Sequence, residues 1–150
     1  MSADTPQAAP RDPLSTVRER ARTNLFWRHL GIEVDDAKEG WVRLRVPISD
    51  PLRNAAGAPV HGGVYSALVD TAVGGALSTM HEAAAGGVGQ TTLDLNVSFL
   101  ASATEGDIFA EGRILRRGRT VAFGEASITD SGGRLVAVGR ATYMILAPRA

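Results

Sequence analysis

"HGGVYSALVDTAVGGALSTMHEAA", residues 61–84, is the stretch on which the fold turns. Val64, Leu68, Val69, Ala72, Val73, Ala76 and Met80 recur at three- and four-residue steps, which predicts the main helix of the chain. One carboxylate interrupts this apolar run: Asp70. At about 100° per residue, its neighbours on the helix surface are Ser66, Gly74 and Leu77, with Gly63, Ala67 and His81 nearby. That stripe is mostly small. Two adjacent glycines in mid-helix, Gly74 and Gly75, cost about 2 kcal/mol in propensity against two alanines, so some neighbour is expected to approach closely there. Two readings of Asp70 stay open: a solvated face of an ordinary amphipathic helix, or a carboxylate set in a small-residue groove facing a ligand or partner subunit.

Outward from this helix the period changes. Upstream, Leu14, Val17, Ala21 and Leu25 recur helically, and Gly31 is expected to close that helix. "GIEVDDAKEGWVRLRVPIS" then alternates, with a polar turn expected over residues 35–40. Arg43 and Arg45 fall between Val42, Leu44 and Val46, as in a hairpin with one wet face. "DPLRNAAGAPV" breaks the order with Pro51, Gly57 and Pro59. Downstream of residues 86–89, four segments of near period two are separated by turn signals: "QTTLDLNVSFLA", "DIFAEGRILRRG", "RTVAFGEASITD" and "RLVAVGRATYMILA". They predict an antiparallel meander. Helix, two strands, long helix and four strands make an α+β domain, a long helix lying across a six-stranded antiparallel sheet. Residues 1–13, polar and proline-bearing, read as a flexible tail; residues 14–150 read as one domain.

Composition narrows the function classes. The formal net charge is zero, which argues against a protein built to grip nucleic-acid backbone. There are no cysteines, so thiol catalysis, disulfides and cysteine-based metal sites are excluded. The polar N-terminus has no apolar signal region and no run approaches a membrane span, so a cytoplasmic, soluble protein is the expectation.

"GGVGQTT", residues 86–92, looks like a phosphate-binding loop and fails as one. Gln90 stands where that motif needs lysine, and Ala84 where it needs its first glycine. The order is also reversed, with a helix before the loop and a strand after it, so the dipole would repel an anion. Gly86 and Gly87 are expected instead to cap the long helix.

The helix start is more promising. Four N–H groups at a helix N-terminus lack intrahelical partners, and about half a unit of positive charge gathers there. His61 stands immediately before Gly62 and Gly63 at that point, and Asn54 and His61 flank the glycine-bearing loop. An amide and an imidazole could therefore converge beside free backbone donors. The bland reading of His61 is a hydrogen-bonded structural residue.

"FWRHLGIEV", "NAAGAPVHGGVYSALVDTAVGGA", "TTLDLNVSFL" and "RGRTVAFGEASITDSGGRLVAVGRATY", in order over roughly residues 24–146, resemble a hotdog-fold acyl-CoA thioesterase. The group they look most like is the phenylacetic-acid-degradation thioesterase and its aromatic acyl-CoA relatives. The resemblance implies a long central helix wrapped by the sheet, with an extra N-terminal helix here. It implies homodimers that join their sheets and pair into a homotetramer, with active sites between subunits. It also implies an acyl-CoA substrate and no metal or other cofactor.

By the same resemblance, Asp70 attacks the thioester carbonyl or activates water as general base, and the Gly62 N–H donates to the thioester oxygen. His61 and Asn54 position thioester and water, and the Thr92 hydroxyl orients the water. Arg116, Arg117 and Arg119 hold CoA phosphates; their bland reading is a solvated strand face. Gly63, Tyr65, Leu68 and Phe99 are further candidates for contact with substrate. Asn54 to His61 spans seven positions where the family more often has six. Two rival functions share the fold: an acyl-CoA-binding module without turnover, and a hydroxyacyl-thioester dehydratase using His61 with Asp70.

Overall fold

The computed structural model describes residues 11–81 and 89–147. The proposed tail up to residue 10, and the expected helix cap at Gly86 and Gly87, lie outside the described residues.

The N-terminal helical pattern resolves into two helices, not one. Helix α1 spans Pro13–Thr23, with Asp12 accepting from the Ser15 N–H at its start. Helix α2 spans Leu25–Leu30. The break is Asn24, whose side-chain oxygen accepts from the N–H groups of Phe26 (3.0 Å) and Trp27 (3.1 Å). An asparagine that caps a new helix competes with continuing the old one. Gly31 closes α2 in the left-handed region, at φ 72°.

Strand β1 (Glu33–Lys38) runs through most of the expected polar turn, leaving Glu39 and Gly40 to reverse the chain into β2 (Trp41–Pro47). In β2 the alternation holds: Val42, Leu44 and Val46 are fully buried. Arg43 and Arg45 face outward, Arg43 on Glu111 and Arg45 on Asp107 and Glu33.

Helix α3 spans Gly62–Ser78, shorter at its C-terminus than the sequence pattern indicates. Its last carbonyls find other partners. Ser78 Oγ donates to Gly75 O and Thr79 Oγ1 to Ala76 O, each at 2.6 Å. Thr79 Oγ1 in turn accepts from the Gly40 N–H of the β1–β2 hairpin at 2.8 Å. Hydroxyls folding back on the helix offer its end an alternative to another turn.

Strands β3 (Gly89–Phe99), β4 (Asp107–Arg117), β5 (Val121–Asp130) and β6 (Leu135–Leu146) complete an antiparallel sheet in the order β1-β2-β4-β5-β6-β3. The expected four-strand meander is therefore a three-strand meander. β3 pairs with β6 and not with its successor β4, because α3 carries the chain across the sheet to the far edge. Tyr65, Leu68, Val69, Ala72, Val73, Ala76 and Leu77 of α3 are buried against one face of the sheet. At about 1.5–3 kcal/mol for each large side chain, this interface is the main store of stability. The approach is close: a methyl added at Gly112 of β4 would overlap the main-chain carbonyl of Ala72. This is the hotdog arrangement, with two short helices before it.

Candidate active site

Asp70 is only partly buried, and its environment is specific. Its Oδ1 accepts from Thr92 Oγ1 at 2.8 Å and from the Tyr143 hydroxyl at 2.6 Å. Oδ2 accepts no hydrogen bond from the described residues. Thr92 and Tyr143 are directly opposed partners across β3 and β6, so one cross-strand pair delivers both hydroxyls to one oxygen. The solvated-face reading of Asp70 does not describe this geometry.

A bulge in β3 makes the placement work. Thr92 pairs with Tyr143 and Asp94 with Thr142, so Leu93 is the extra residue. Counting onward, Leu95 opposes Ala141 and Val97 opposes Gly139. Polar Gln90 and Thr92 thereby share the helix-facing side with apolar Leu95 and Val97, an order that unbroken period two would forbid.

The close approach expected at the paired glycines is present at both. A β-carbon at Gly74 would lie 2.6 Å from the Tyr143 hydroxyl and 3.2 Å from Gln90 Nε2; one at Gly75 would lie 3.2 Å from the Trp27 ring. Gln90 donates to the Gly74 carbonyl at 2.8 Å and contacts His81 Nε2, also at 2.8 Å. Burial pushes the His81 imidazole below its ordinary pKa of 6.5, the Gln90 contact opposes this, and the cations Arg117 and Arg20 add to it. Burial, with the Asp70 carboxylate adding to it, pushes the Tyr143 phenol well above its ordinary 10.0, so the hydroxyl is a permanent donor.

These groups border a hollow of about 230 Å³ that opens beside Asp70 and Thr92. Arg20, Asn24, Phe26 and Trp27 form its other wall. The Arg20 guanidinium lies 5.8 Å from the Trp27 ring, and its Nε is buried with no hydrogen-bond partner among the described residues. Burial lowers its pKa, while Tyr143 and Asp70 act the other way. A larger hollow, about 640 Å³, lies on the opposite face of the sheet among Trp41, Glu111, Arg113, Glu125 and Arg140. Arg113 pairs with Glu125 there, and no group of that face reaches Asp70 by hydrogen bond.

The residues at the helix start lie elsewhere. His61 Nδ1 accepts from the Gly63 N–H at 2.8 Å, so the exposed His61 is the N-cap of α3, and its Nε2 has no hydrogen-bond partner among the described residues. The Gly63 donor is therefore occupied, whereas the Gly62 N–H donates to no partner among the described residues. Asn54 folds back on its own loop, donating from Nδ2 to Pro59 O at 3.2 Å. The loop takes up its length in a turn in which Ala58 N–H donates to Ala55 O and Gly57 adopts φ 71°. Gly62 and Asp70 are eight residues apart on one helix, about 12 Å along its axis. One chain thus does not bring Asn54, His61 and Gly62 to Asp70.

Tyr65 and Leu68 belong to the core. Leu68 is fully buried, and the buried Tyr65 hydroxyl accepts from the Ala103 N–H at 3.0 Å. Neither offers surface to a substrate in this arrangement. Phe99 does: it is 56% exposed, and its ring edge covers Gly62, 3.3 Å from where a β-carbon would be. Arg116, Arg117 and Arg119 are exposed at the β4–β5 turn, with Arg117 near enough to His81 to act on its charge. They therefore stand at the other end of α3 from His61.

Tyr143, Gln90, Arg20 and Asn24 are absent from the sequence-based set of candidates. The sequence signal for Tyr143 and Gln90 was indirect: a glycine pair in mid-helix announces an intruder without naming it.

Comparison with known proteins agrees with the fold. The Thioesterase superfamily profile matches residues 59–137. A provisionally named esterase of Halobacterium salinarum is 38% identical over 77% of this chain and 81% of its own length. Human acyl-coenzyme A thioesterase 13 is 30% identical over 84% of this chain and 89% of its own. The solved Haemophilus influenzae thioesterase superposes with a TM-score of 0.80 at 26% identity, over 91% of this chain and 92% of that one. With a match over half its length and the helix-on-sheet architecture described above, the chain belongs to the thioesterase superfamily.

Proposed function

We propose that this protein hydrolyses acyl-CoA thioesters, with Asp70 as nucleophile or general base. The observation that carries the reading is the Asp70 carboxylate itself. One oxygen is held by two hydroxyls, and the other has no partner among the described residues and stands beside a hollow large enough for part of an acyl group. Thioester hydrolysis needs a nucleophile or base and a donor for the developing oxyanion, and the residues here supply both without a metal or redox cofactor. The Gly62 N–H, at the positive end of α3, is the donor of choice.

Because Gly62 and Asp70 are about 12 Å apart along one helix, the working site joins Asp70 and Thr92 of one copy to His61, Gly62 and Asn54 of another. The sheet supports such pairing. β3 is an eleven-residue edge strand with Leu93, Leu95 and Phe99 exposed, and an edge of that kind is normally covered. The pairing of dimers into a tetramer is part of the same reading. CoA phosphates lie against Arg116, Arg117 and Arg119 at the β4–β5 turn. The exposed ring of Phe26 on the wall of the hollow favours a flat or aromatic acyl group, as in the phenylacetic-acid-degradation group of this superfamily.

The deciding experiment is free-thiol release from a panel of aromatic, short- and medium-chain acyl-CoA esters by the native protein and Asp70→Ala. Loss of about 10²- to 10⁴-fold in turnover with the fold intact is expected. Undiminished turnover in the variant would sink the assignment. Binding without turnover by the native protein would make it a binding module, and enoyl product without thiol from a 3-hydroxyacyl-CoA added to the panel would make it a dehydratase.

A further inference from the structure

We infer that Tyr143 is a positioning residue for Asp70: its hydroxyl holds Oδ1 so that Oδ2 is presented to the thioester carbonyl or to water, and Gly74 is glycine to admit that hydroxyl. The inference rests on the thioesterase reading above and deepens it.

Three observations carry it. The first is the choice of acceptor. The Tyr143 hydroxyl lies 2.6 Å from Asp70 Oδ1 and 2.8 Å from the main-chain carbonyl oxygen of the same residue. It has one proton, and a carboxylate is the stronger acceptor, so the proton is committed to Oδ1. The second is burial. Tyr143 is 5% exposed, and a buried hydroxyl without a partner is costly. A phenylalanine would fill the same space without that cost, so packing alone does not account for the oxygen. The third is the helix opposite. Gly74 is less favourable in a helix than alanine by about 1 kcal/mol, yet any β-carbon there would stand 2.6 Å from the hydroxyl and 3.1 Å from Cζ. The oxygen is the atom that alanine would displace.

Thr92 alone does not fix the carboxylate. Its side chain is exposed on a strand paired on one side only, with β6, so the hydroxyl is free to turn to another partner. Tyr143 stands on a strand paired on both sides, with β5 and β3, and its ring cannot move without disturbing the core. The rigid donor therefore sets the angle of the carboxylate. The threonine hydroxyl, in contact with both Asp70 and solvent, remains free to orient water.

The test is a double-mutant cycle on Tyr143→Phe and Gly74→Ala, read by thiol release from phenylacetyl-, benzoyl-, butyryl- and hexanoyl-CoA. Tyr143→Phe is expected to lower kcat about 10- to 100-fold, the loss of one hydrogen bond to a charged group, with KM within about twofold. Gly74→Ala alone is expected to lower kcat similarly, because the added methyl expels the hydroxyl. In the Tyr143→Phe background the same Gly74→Ala change should lower kcat by less than about threefold, since the expelled atom is already gone. Native kcat in Tyr143→Phe, or equal losses from Gly74→Ala in both backgrounds, would overturn the inference. Should Gly74→Ala fail to fold, the split between kcat and KM in Tyr143→Phe decides alone. Asp70→Ala is run beside them. Full turnover in that variant would take Asp70 out of the chemistry and this inference with it, no thiol release by the native protein would bring down the thioesterase reading, and a dead Asp70→Ala with an unaffected Tyr143→Phe would remove only the role of Tyr143.

Discussion

At the scale of single residues, His61 has one role that is visible and one that is proposed. Its Nδ1 accepts from the Gly63 N–H and caps α3, and the proposed site gives the other ring nitrogen to the substrate. The two roles separate by substitution. His61→Ala should lose the cap, about 1 kcal/mol of stability, and turnover. His61→Asn, a good cap, should restore the melting temperature but not kcat/KM. If asparagine restores both, His61 is a cap and nothing more. His81 gives a pH dependence with a definite sign. Its folded pKa is depressed below 6.5, so the unfolded chain binds more protons as pH falls through that value. Its contribution to stability is present above about 6.5 and is lost below it. Urea titrations between pH 7 and pH 5 should show a smaller loss of stability in His81→Gln than in the native protein. An equal or larger loss in the variant would count against this.

At the scale of elements, the N-terminal break is informative. The apolar steps at Leu14, Val17, Ala21 and Leu25 suit a single helix ending at Gly31, but Asn24 starts a second helix. The consequence is functional, because the turn between α1 and α2 lets Arg20, Asn24, Phe26 and Trp27 wall the hollow beside Asp70. Asn24→Ala should destabilise the protein by about 1 kcal/mol through loss of the oxygen that accepts from two N–H groups, read as a lower melting temperature. Unchanged melting would show the cap to be replaced by water. The helix α3 and the strands were legible in the sequence because period and turn chemistry are local. The position of β3 was not. Four consecutive strands look like a meander, and nothing within 89–99 says that β6 and not β4 is its neighbour. The bulge at Leu93 was hidden for the same reason: it is defined by the partner strand.

At the scale of the whole molecule, the separation of Gly62 from Asp70 along one helix requires a second copy for catalysis as proposed. Light scattering with size exclusion should show at least a dimer. Mixing inactive Asp70→Ala with a variant inactive through residues at the helix start should restore part of the turnover, since one site of a mixed dimer is then intact. A stable, active monomer would refute the shared site. Arg119→Ala should raise KM for acyl-CoA more than for the corresponding pantetheine thioester; equal effects would remove the phosphate role.

The amino-acid order was enough to place a long apolar helix under a six-stranded sheet, to set one carboxylate in its small-residue stripe, and to put unpaired N–H groups at its start. Those features depend on neighbours three or four positions away. What surrounds the carboxylate was decided only when the sheet closed. Tyr143 reaches Asp70 across 73 positions of chain and Thr92 across 22, and Arg20 comes to the same hollow from α1. Such contacts follow from strand order, register and one bulge, and these are settled by how the helix and sheet bury each other's apolar faces, which no local stretch of sequence contains.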